Sequence, residues 1–205
     1  RNIVSIYRLL HLKIFIMHAI EPYYSWRNSY IAANDPESPF FRREYSEFNF
    51  TNSIYDHLIH PQWDEFGSNT LFIKILMVNY DLQYCVIEML GEWNDLLYND
   101  IMFLYRDVIE TLLESDIKYF ILIGENVLNF HADSNDYYDE WFNNIADGWI
   151  VGINFRDFVI KEFEEANIDF YISFSGEFDE FAWRNILPDQ LFEKVNTIVT
   201  KRLEI

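Results

Sequence analysis

The sequence contains a single cysteine, Cys85, which excludes an intrachain disulfide and a cysteine-based zinc site. Only six glycines are present, and neither the Gly-x-Gly-x-x-Gly nor the Gly-Lys-Ser/Thr phosphate-binding pattern occurs. The Gly-x-Ser-x-Gly nucleophile elbow and the His-Glu-x-x-His zinc pattern are also missing. Enzymes of the common nucleotide-binding, serine-hydrolase and zinc-protease kinds are therefore disfavoured.

Positive charge is scarce as well. Lys and Arg together number 15 against 34 Asp and Glu, so the formal net charge is −19 at pH 7. Binding to nucleic acids and to anionic membranes depends mainly on cationic side chains, and this balance therefore disfavours both as partners. The charge favours solubility or a basic protein partner.

A long apolar span is also lacking. The stretch from Leu9 to Ile20 is too short to cross a bilayer, and it is interrupted by His11, Lys13 and His18. It does not show the small-residue cleavage pattern of a secretory signal. We therefore expect a cytoplasmic protein, and we predict no cofactor and no metal motif.

Aromatic residues, in contrast, make up 19% of this 205-residue chain, which argues for a folded protein with a large core. We predict an N-terminal strand plus an irregular aromatic-rich extension packed on the core over residues 1–70. Residues 71–205 are predicted to form an α/β core, and the whole chain is expected to be one structural domain. The aromatic residues of 21–70 either wrap the core, form a dimer contact, or make a stacking surface for a sugar, base or peptide. The cations available to such a stacking surface are Arg27, Arg42 and Arg43.

Apolar runs predict strands over residues 12–20, 71–78, 84–90, 118–123 and 149–153, and strict alternation predicts an edge strand over 168–174. The run from Tyr119 to Ile123 is expected near the middle of the sheet, buried on both faces and ending at Gly124. Helical spacing predicts helices over about 101–114, around Trp141, and over about 158–166 and 188–203. This alternation predicts a mixed, largely parallel sheet flanked by helices.

In sheets of this kind, ligands gather at the carboxyl ends of the strands. The polar residues that we select there are Glu92, Asp95, Glu125, Asn126 and Arg156. If the strand ends bring them together, their oxygens suit Mg²⁺ or Ca²⁺, and a carboxyl with a raised pKa suits acid/base catalysis. The alternative is that these side chains cap helices and fill turns.

The predicted element order from about residue 71, β-β-α-β-α-β-α-β-α, resembles that of STAS domains, the anti-sigma-factor-antagonist family of small regulatory modules. The resemblance covers about residues 71–203 and rests on element order. It implies a protein-interaction module that carries a phosphorylated Ser or Thr at the start of a helix. The closest equivalent in this chain is Ser134, within the stretch His131-Ala-Asp-Ser-Asn135.

We therefore predict an acidic protein-interaction or regulatory module whose partner is another protein or a second copy of itself. The alternative prediction is a metal-dependent or acid/base enzyme with a carboxylate-lined site at the strand ends. A separate candidate for binding is the motif Trp63-Asp64-Glu65, which is also compatible with a turn that seats Trp63 on the core.

Overall fold

A computed structural model describes residues 19–203, which form a mixed α/β fold of two mixed sheets flanked by helices. The small sheet has the order β1-β3-β2 and consists of β1 (Ala19–Ile20), β2 (Ser53–Ile54) and β3 (His57–Ile59). The large sheet has the order β4-β5-β6-β7 and consists of β4 (Leu71–Asn79), β5 (Tyr84–Asn94), β6 (Tyr119–His131) and β7 (Trp149–Ile153). Of the predicted strand over residues 12–20, all but Ala19–Ile20 lies outside the described residues.

The α-helices are α1 (Asp95–Tyr98), α2 (Asp100–Leu104), α3 (Glu110–Glu114), α4 (Asp136–Asn144), α5 (Asp157–Glu165) and α6 (Pro188–Leu203). A π-helical turn joins α2 to α3, so the predicted amphipathic helix over about 101–114 is one continuous helical stretch. Short 3-10 helices occur at Ala32–Asn34, Ile168–Phe170, Gly176–Phe178 and Trp183–Asn185. Within residues 19–203 no helix combines the length and the apolarity that a bilayer crossing requires.

The predicted strands over residues 71–78 and 84–90 are confirmed, and they form a hairpin at the start of the large sheet. Strands β4 and β5 are antiparallel, and Asn79 lies opposite Tyr84 at the turn. Strand β5 runs past its predicted end near Gly91 and continues to Asn94. Gly91 has φ +126°, and a Cβ atom there would lie 2.1 Å from the Thr70 carbonyl oxygen, so only glycine allows this close approach.

The apolar run from Tyr119 to Ile123 lies inside the large sheet as predicted, because β6 pairs in parallel with β5 on one side and β7 on the other. The predicted end at Gly124 is wrong, since β6 continues to His131. Gly124 does not make a turn. A Cβ atom there would lie 2.3 Å from the ring of Phe155, so the glycine makes room for that ring.

The predicted edge strand over residues 168–174 is also wrong. Ile168–Phe170 is a 3-10 helix, and the amide of Ile172 donates to the carbonyl of Ile168, as in a helical turn. Only Ser173 forms a bridge to the large sheet, opposite Val151. The observed element order therefore departs from the STAS-like order before α6.

The two faces of the large sheet are covered by different parts of the chain. We call the face that carries Ile87 and Leu122 the first face, and it packs against residues of α2 to α5. We call the face that carries Val86 and Ile121 the second face, and it packs against α6. Trp26, from the segment before the large sheet, also packs on the second face.

Candidate functional site

The predicted strand-end residue Asp95 is buried within a hydrogen-bond network at the start of α1. Its carboxylate accepts the indole N–H of Trp93 at 3.1 Å, the amide of Ile101 at 2.9 Å and the hydroxyl of Tyr138 at 2.7 Å. Burial raises the pKa of Asp95 to about 7, and these hydrogen bonds oppose the rise. Asp95 therefore joins β5, α2 and α4.

The other four strand-end candidates lie in different surroundings. Glu125 is half-buried beside Arg184, Glu92 accepts the hydroxyl of Tyr55, and Arg156 and Asn126 make no side-chain hydrogen bond within residues 19–203. In that part of the chain no hydrogen bond or ion pair joins any two of the five candidates. No group of three His, Cys, Asp or Glu side chains among the described residues is arranged to hold a metal ion.

The remaining predicted residues lie at two further places. Ser134 is exposed just before α4, and its hydroxyl donates to Asp136 at 3.1 Å. Trp63 is buried and donates its indole N–H to the carbonyl of Ile20 at 3.0 Å, whereas Glu65 is exposed. The regulatory role of Ser134 and the binding role of Trp63 stay predictions.

The structure brings together two charged residues that sequence reasoning did not select, Lys74 and Glu88, with the predicted residues Glu125 and Asp64. Lys74 on β4 and Glu88 on β5 lie directly opposite each other in the sheet register, and both point to the second face. Glu125 on β6 lies on the same face, where it interacts with Arg184. We call Lys74, Glu88 and Glu125 the polar row. In the sequence, Lys74 and Glu88 were each the single charged residue within a predicted apolar strand.

Asp64 forms a buried ion pair with Lys74 at one end of the polar row. Lys74 Nζ lies 3.1 Å from Asp64 Oδ2, and Arg43 Nη1 lies 3.5 Å from Asp64 Oδ1. The Tyr45 hydroxyl also donates to Asp64. Burial raises the pKa of Asp64 and lowers that of Lys74, whereas the attraction between the two charges opposes both shifts.

Arg184 connects the two carboxylates of the polar row. It forms an ion pair with Glu125, and its Nη2 lies 3.7 Å from Glu88 Oε1. Burial raises the pKa of Glu88 to about 7, although the Tyr23 amide, at 2.8 Å, and Arg184 both favour the ionised form. Burial would raise the pKa of Glu125 too, but hydrogen bonds from Arg184 and its neighbours outweigh that effect and lower it.

A small cavity of about 40 Å³ lies beside Lys74, between β4 and residues 22–32. We call it the cavity above Lys74. Its polar lining includes Tyr24, Arg27, Tyr30, Tyr45, Gln62 and Lys74. The cavity therefore adjoins the polar row at Lys74.

A separate feature lies at the carboxyl end of β5. The short helix α1 exposes three consecutive apolar side chains, with Leu96 60%, Leu97 71% and Tyr98 40% accessible to solvent. We call these residues the α1 patch. Consecutive apolar side chains of this size, held together on an exposed element, are a feature of interaction surfaces.

The comparisons with known proteins found no relative of this chain. No protein-family model matches this chain, and neither a curated protein nor a solved structure matches it significantly. Functional inference therefore rests on the residues and their geometry.

Proposed function

We propose that this protein is a cytoplasmic protein-interaction module that binds a basic surface of another protein through the α1 patch and the acidic residues around it. The observation that carries the proposal is the rigid display of the α1 patch. Buried polar side chains hold α1 in place, while its apolar side chains point into solvent.

The support for α1 comes from three buried polar residues. Asn94 Oδ1 accepts the amide of Leu97 at 2.9 Å, and Asp100 Oδ2 accepts the amide of Asn94 at 2.8 Å. Asp95 fixes the start of the next helix through the Ile101 amide. Unsatisfied polar groups are unfavourable in a protein interior, so such a network confines α1 to one conformation. A preorganised surface loses less conformational entropy on binding.

The charge of the partner follows from how this chain uses its own cations. Lys74, Arg43 and Arg184 form ion pairs with buried or half-buried carboxylates, and Arg106 and Lys118 pair with Asp and Glu at the surface. The net charge of −19 therefore appears mainly as exposed carboxylates. Such a surface attracts a basic partner at long range and repels nucleic acids.

Affinity capture from the source cell extract tests the proposal. Wild type is compared with Leu96→Ser/Leu97→Ser and with Phe170→Ser, a control that alters an equally exposed side chain, 71% accessible, after α5. We expect wild type and the control to retain a protein of basic isoelectric point. The double variant should lose it, and added salt should weaken the retention. Equal capture by all three proteins would contradict the proposal.

A homodimer is the second form of this proposal, and one observation favours it. Phe48, in the aromatic-rich segment, is 87% exposed. Sedimentation of wild type and Phe48→Ser decides between the two forms. A dimer that dissociates in the variant supports self-association, and a wild-type monomer at all concentrations contradicts it.

The STAS-like resemblance gives a narrower form of the proposal, in which phosphorylation of Ser134 regulates binding. Ser134 is exposed and hydrogen-bonds Asp136, so a phosphate there would lie beside a carboxylate. Like charges repel, and the start of α4 would therefore rearrange. Ser134→Glu is expected to weaken capture of the partner, whereas Ser134→Ala should not.

An acid/base enzyme is the alternative function. It is favoured by Glu88, whose pKa of about 7 suits proton transfer near neutral pH, and by the neighbouring predicted residue Glu125. Turnover in a broad substrate screen that is present in wild type and absent in Glu88→Gln would support this alternative. Turnover that persists in the variant would contradict it.

A further inference from the structure

The cavity above Lys74 has an unusual electrostatic character for this protein. Two cations, Lys74 and Arg27, line it. Asp64 forms ion pairs with Lys74 and with Arg43, which lies outside the lining. A chain with a net charge of −19 thus places two of its 15 cations on one small cavity.

The donors that are free to bind a ligand are those of Lys74 and Arg27. The hydroxyls of Tyr30 and Tyr45 are occupied, since they donate to Asp35 and Asp64. Lys74 has three N–H donors and one carboxylate partner, and Arg27 has five N–H donors of which one bonds Gln62. An ammonium and a guanidinium that face one cavity form a site for an oxyanion.

The size of the cavity limits that oxyanion. A volume of about 40 Å³ holds about three water molecules, since each needs roughly 10–15 Å³ of such space. A carboxylate group has three heavy atoms and fits this volume, whereas a phosphate or sulfate group has five. The tyrosine rings enclose the space, which strengthens the interaction between a bound carboxylate and the two cations.

A larger surface groove adjoins the cavity. This groove of about 420 Å³ shares Arg27, Tyr30 and Ile31 with the cavity and is further lined by Asn34, Asp35 and Tyr80. The Asp35 carboxylate accepts the hydroxyls of Tyr30 and Tyr80. A molecule whose carboxylate enters the cavity would therefore have room for its remaining atoms beside amide and hydroxyl groups. Such a lining suits a polar rather than a purely hydrocarbon body.

We infer that the cavity above Lys74 binds the carboxylate of a small polar organic acid, held by Lys74 and Arg27, with the rest of the molecule in the adjoining groove. Neither the α1 patch nor a protein partner is involved in this site. Its occupancy can therefore be measured on the isolated protein.

The test uses sodium acetate as a probe for the carboxylate and sodium glycolate as a probe for the carboxylate with a polar body. Thermal unfolding is followed at pH 7 and constant ionic strength, with sodium chloride as the reference and sodium phosphate as a second oxyanion. We expect a saturable rise in Tm of several degrees with glycolate, a smaller rise with acetate, and no rise with phosphate. No rise with either carboxylate, or an equal rise with phosphate, would overturn the inference.

Two variants assign the response to the cavity. Arg27→Met changes an exposed side chain, so the fold should be kept, and we expect at least a tenfold increase in the Kd for glycolate. Asp64→Leu/Lys74→Met removes the buried ion pair as a unit and should abolish the response. Arg106→Met, which alters a surface ion pair with Glu110, is the matched control and should respond like wild type. A wild-type response in Arg27→Met would contradict the site.

Discussion

The two faces of the large sheet differ in the polarity of the strand side chains that contact the covering segments. On the first face the strand residues are apolar, as at Ile87 and Leu122, and they pack on the apolar sides of helices. On the second face the polar row replaces apolar residues at the centre of the sheet, and it is covered by irregular segments that contain Tyr23 and Arg184. Apolar packing of this kind favours folding.

The second face requires a different explanation. Buried charges lose their hydration, and replacing a buried ion pair by apolar residues of similar volume is often neutral or stabilising. A polar row is therefore weak evidence for stability and favours a role in binding. Four changes are given from the largest expected effect on stability to the smallest. The first three test whether the two faces differ in this way, and the fourth tests the α1 patch.

Phe163→Ala tests the first face. The Phe163 ring is fully buried and stacks on Phe130 with ring centroids 3.9 Å apart. Removing it should lower the free energy of unfolding by about 3–5 kcal/mol, because transfer energy is lost and a cavity remains. Urea denaturation followed by tryptophan fluorescence measures the change. A loss below about 1 kcal/mol would contradict tight packing on this face.

Lys74→Met tests the second face by leaving the buried Asp64 carboxylate without its main partner. We expect a loss of about 3 kcal/mol at pH 7, since an unpaired buried charge is strongly unfavourable and Arg43 compensates in part. Urea denaturation at pH 7 and at pH 4 measures the effect. The loss should shrink at the lower pH as Asp64 becomes protonated, and a loss that does not depend on pH would contradict the explanation.

Glu88→Gln tests the same face through its pH dependence. Glu88 has a pKa of about 7 in the folded protein against 4.5 in the unfolded chain, so the folded state holds its proton more tightly. The stability contributed by that proton is present below about pH 4.5 and is lost as the pH rises through about 7. The glutamine variant should therefore gain about 3 kcal/mol relative to wild type as the pH rises from 4.5 to above 7.

Urea midpoints from pH 4.5 to 8 measure the Glu88→Gln effect. Glu193→Gln, which changes an exposed carboxyl on α6, is the control and should follow the wild-type curve. Parallel curves for wild type and Glu88→Gln would show that Glu88 titrates as it does in the unfolded chain.

Leu96→Ser/Leu97→Ser should have the smallest effect on stability. Both side chains are mostly exposed, so the free energy of unfolding should change by no more than about 0.5 kcal/mol per substitution. Calorimetry of the variant measures this. A large loss would show that the two leucines support the fold, and the α1 patch would then not be a free surface.

Local patterns predicted most of the large sheet and its helices. The spacing of Ile101, Leu104, Val108 and Leu112 marked the helical stretch after β5, and all four are buried. The failures came where tertiary packing decided the structure. Gly124 accommodates the Phe155 ring. Residues 168–170 form a 3-10 helix with three residues per turn, which buries Ile168 and exposes Phe170 instead of placing both on one face.

Sequence reasoning selected Glu125 and Asp64 but neither Lys74 nor Glu88. Lys74 and Glu88 each stood alone in a predicted apolar strand, and nothing in those strands pointed to their partners Asp64 and Arg184. Only the strand register places Lys74 opposite Glu88. A lone charged residue in an apolar strand is the signal that would have indicated the site.

The central claim is that the charges of the second face serve binding and not stability. The free energy of unfolding of Asp64→Leu/Lys74→Met tests it most directly. We expect the free energy of unfolding, measured by urea denaturation at pH 7, to equal or exceed that of wild type, because both charges are removed together. A loss of several kcal/mol would show that the ion pair holds the fold together, and it would contradict the account.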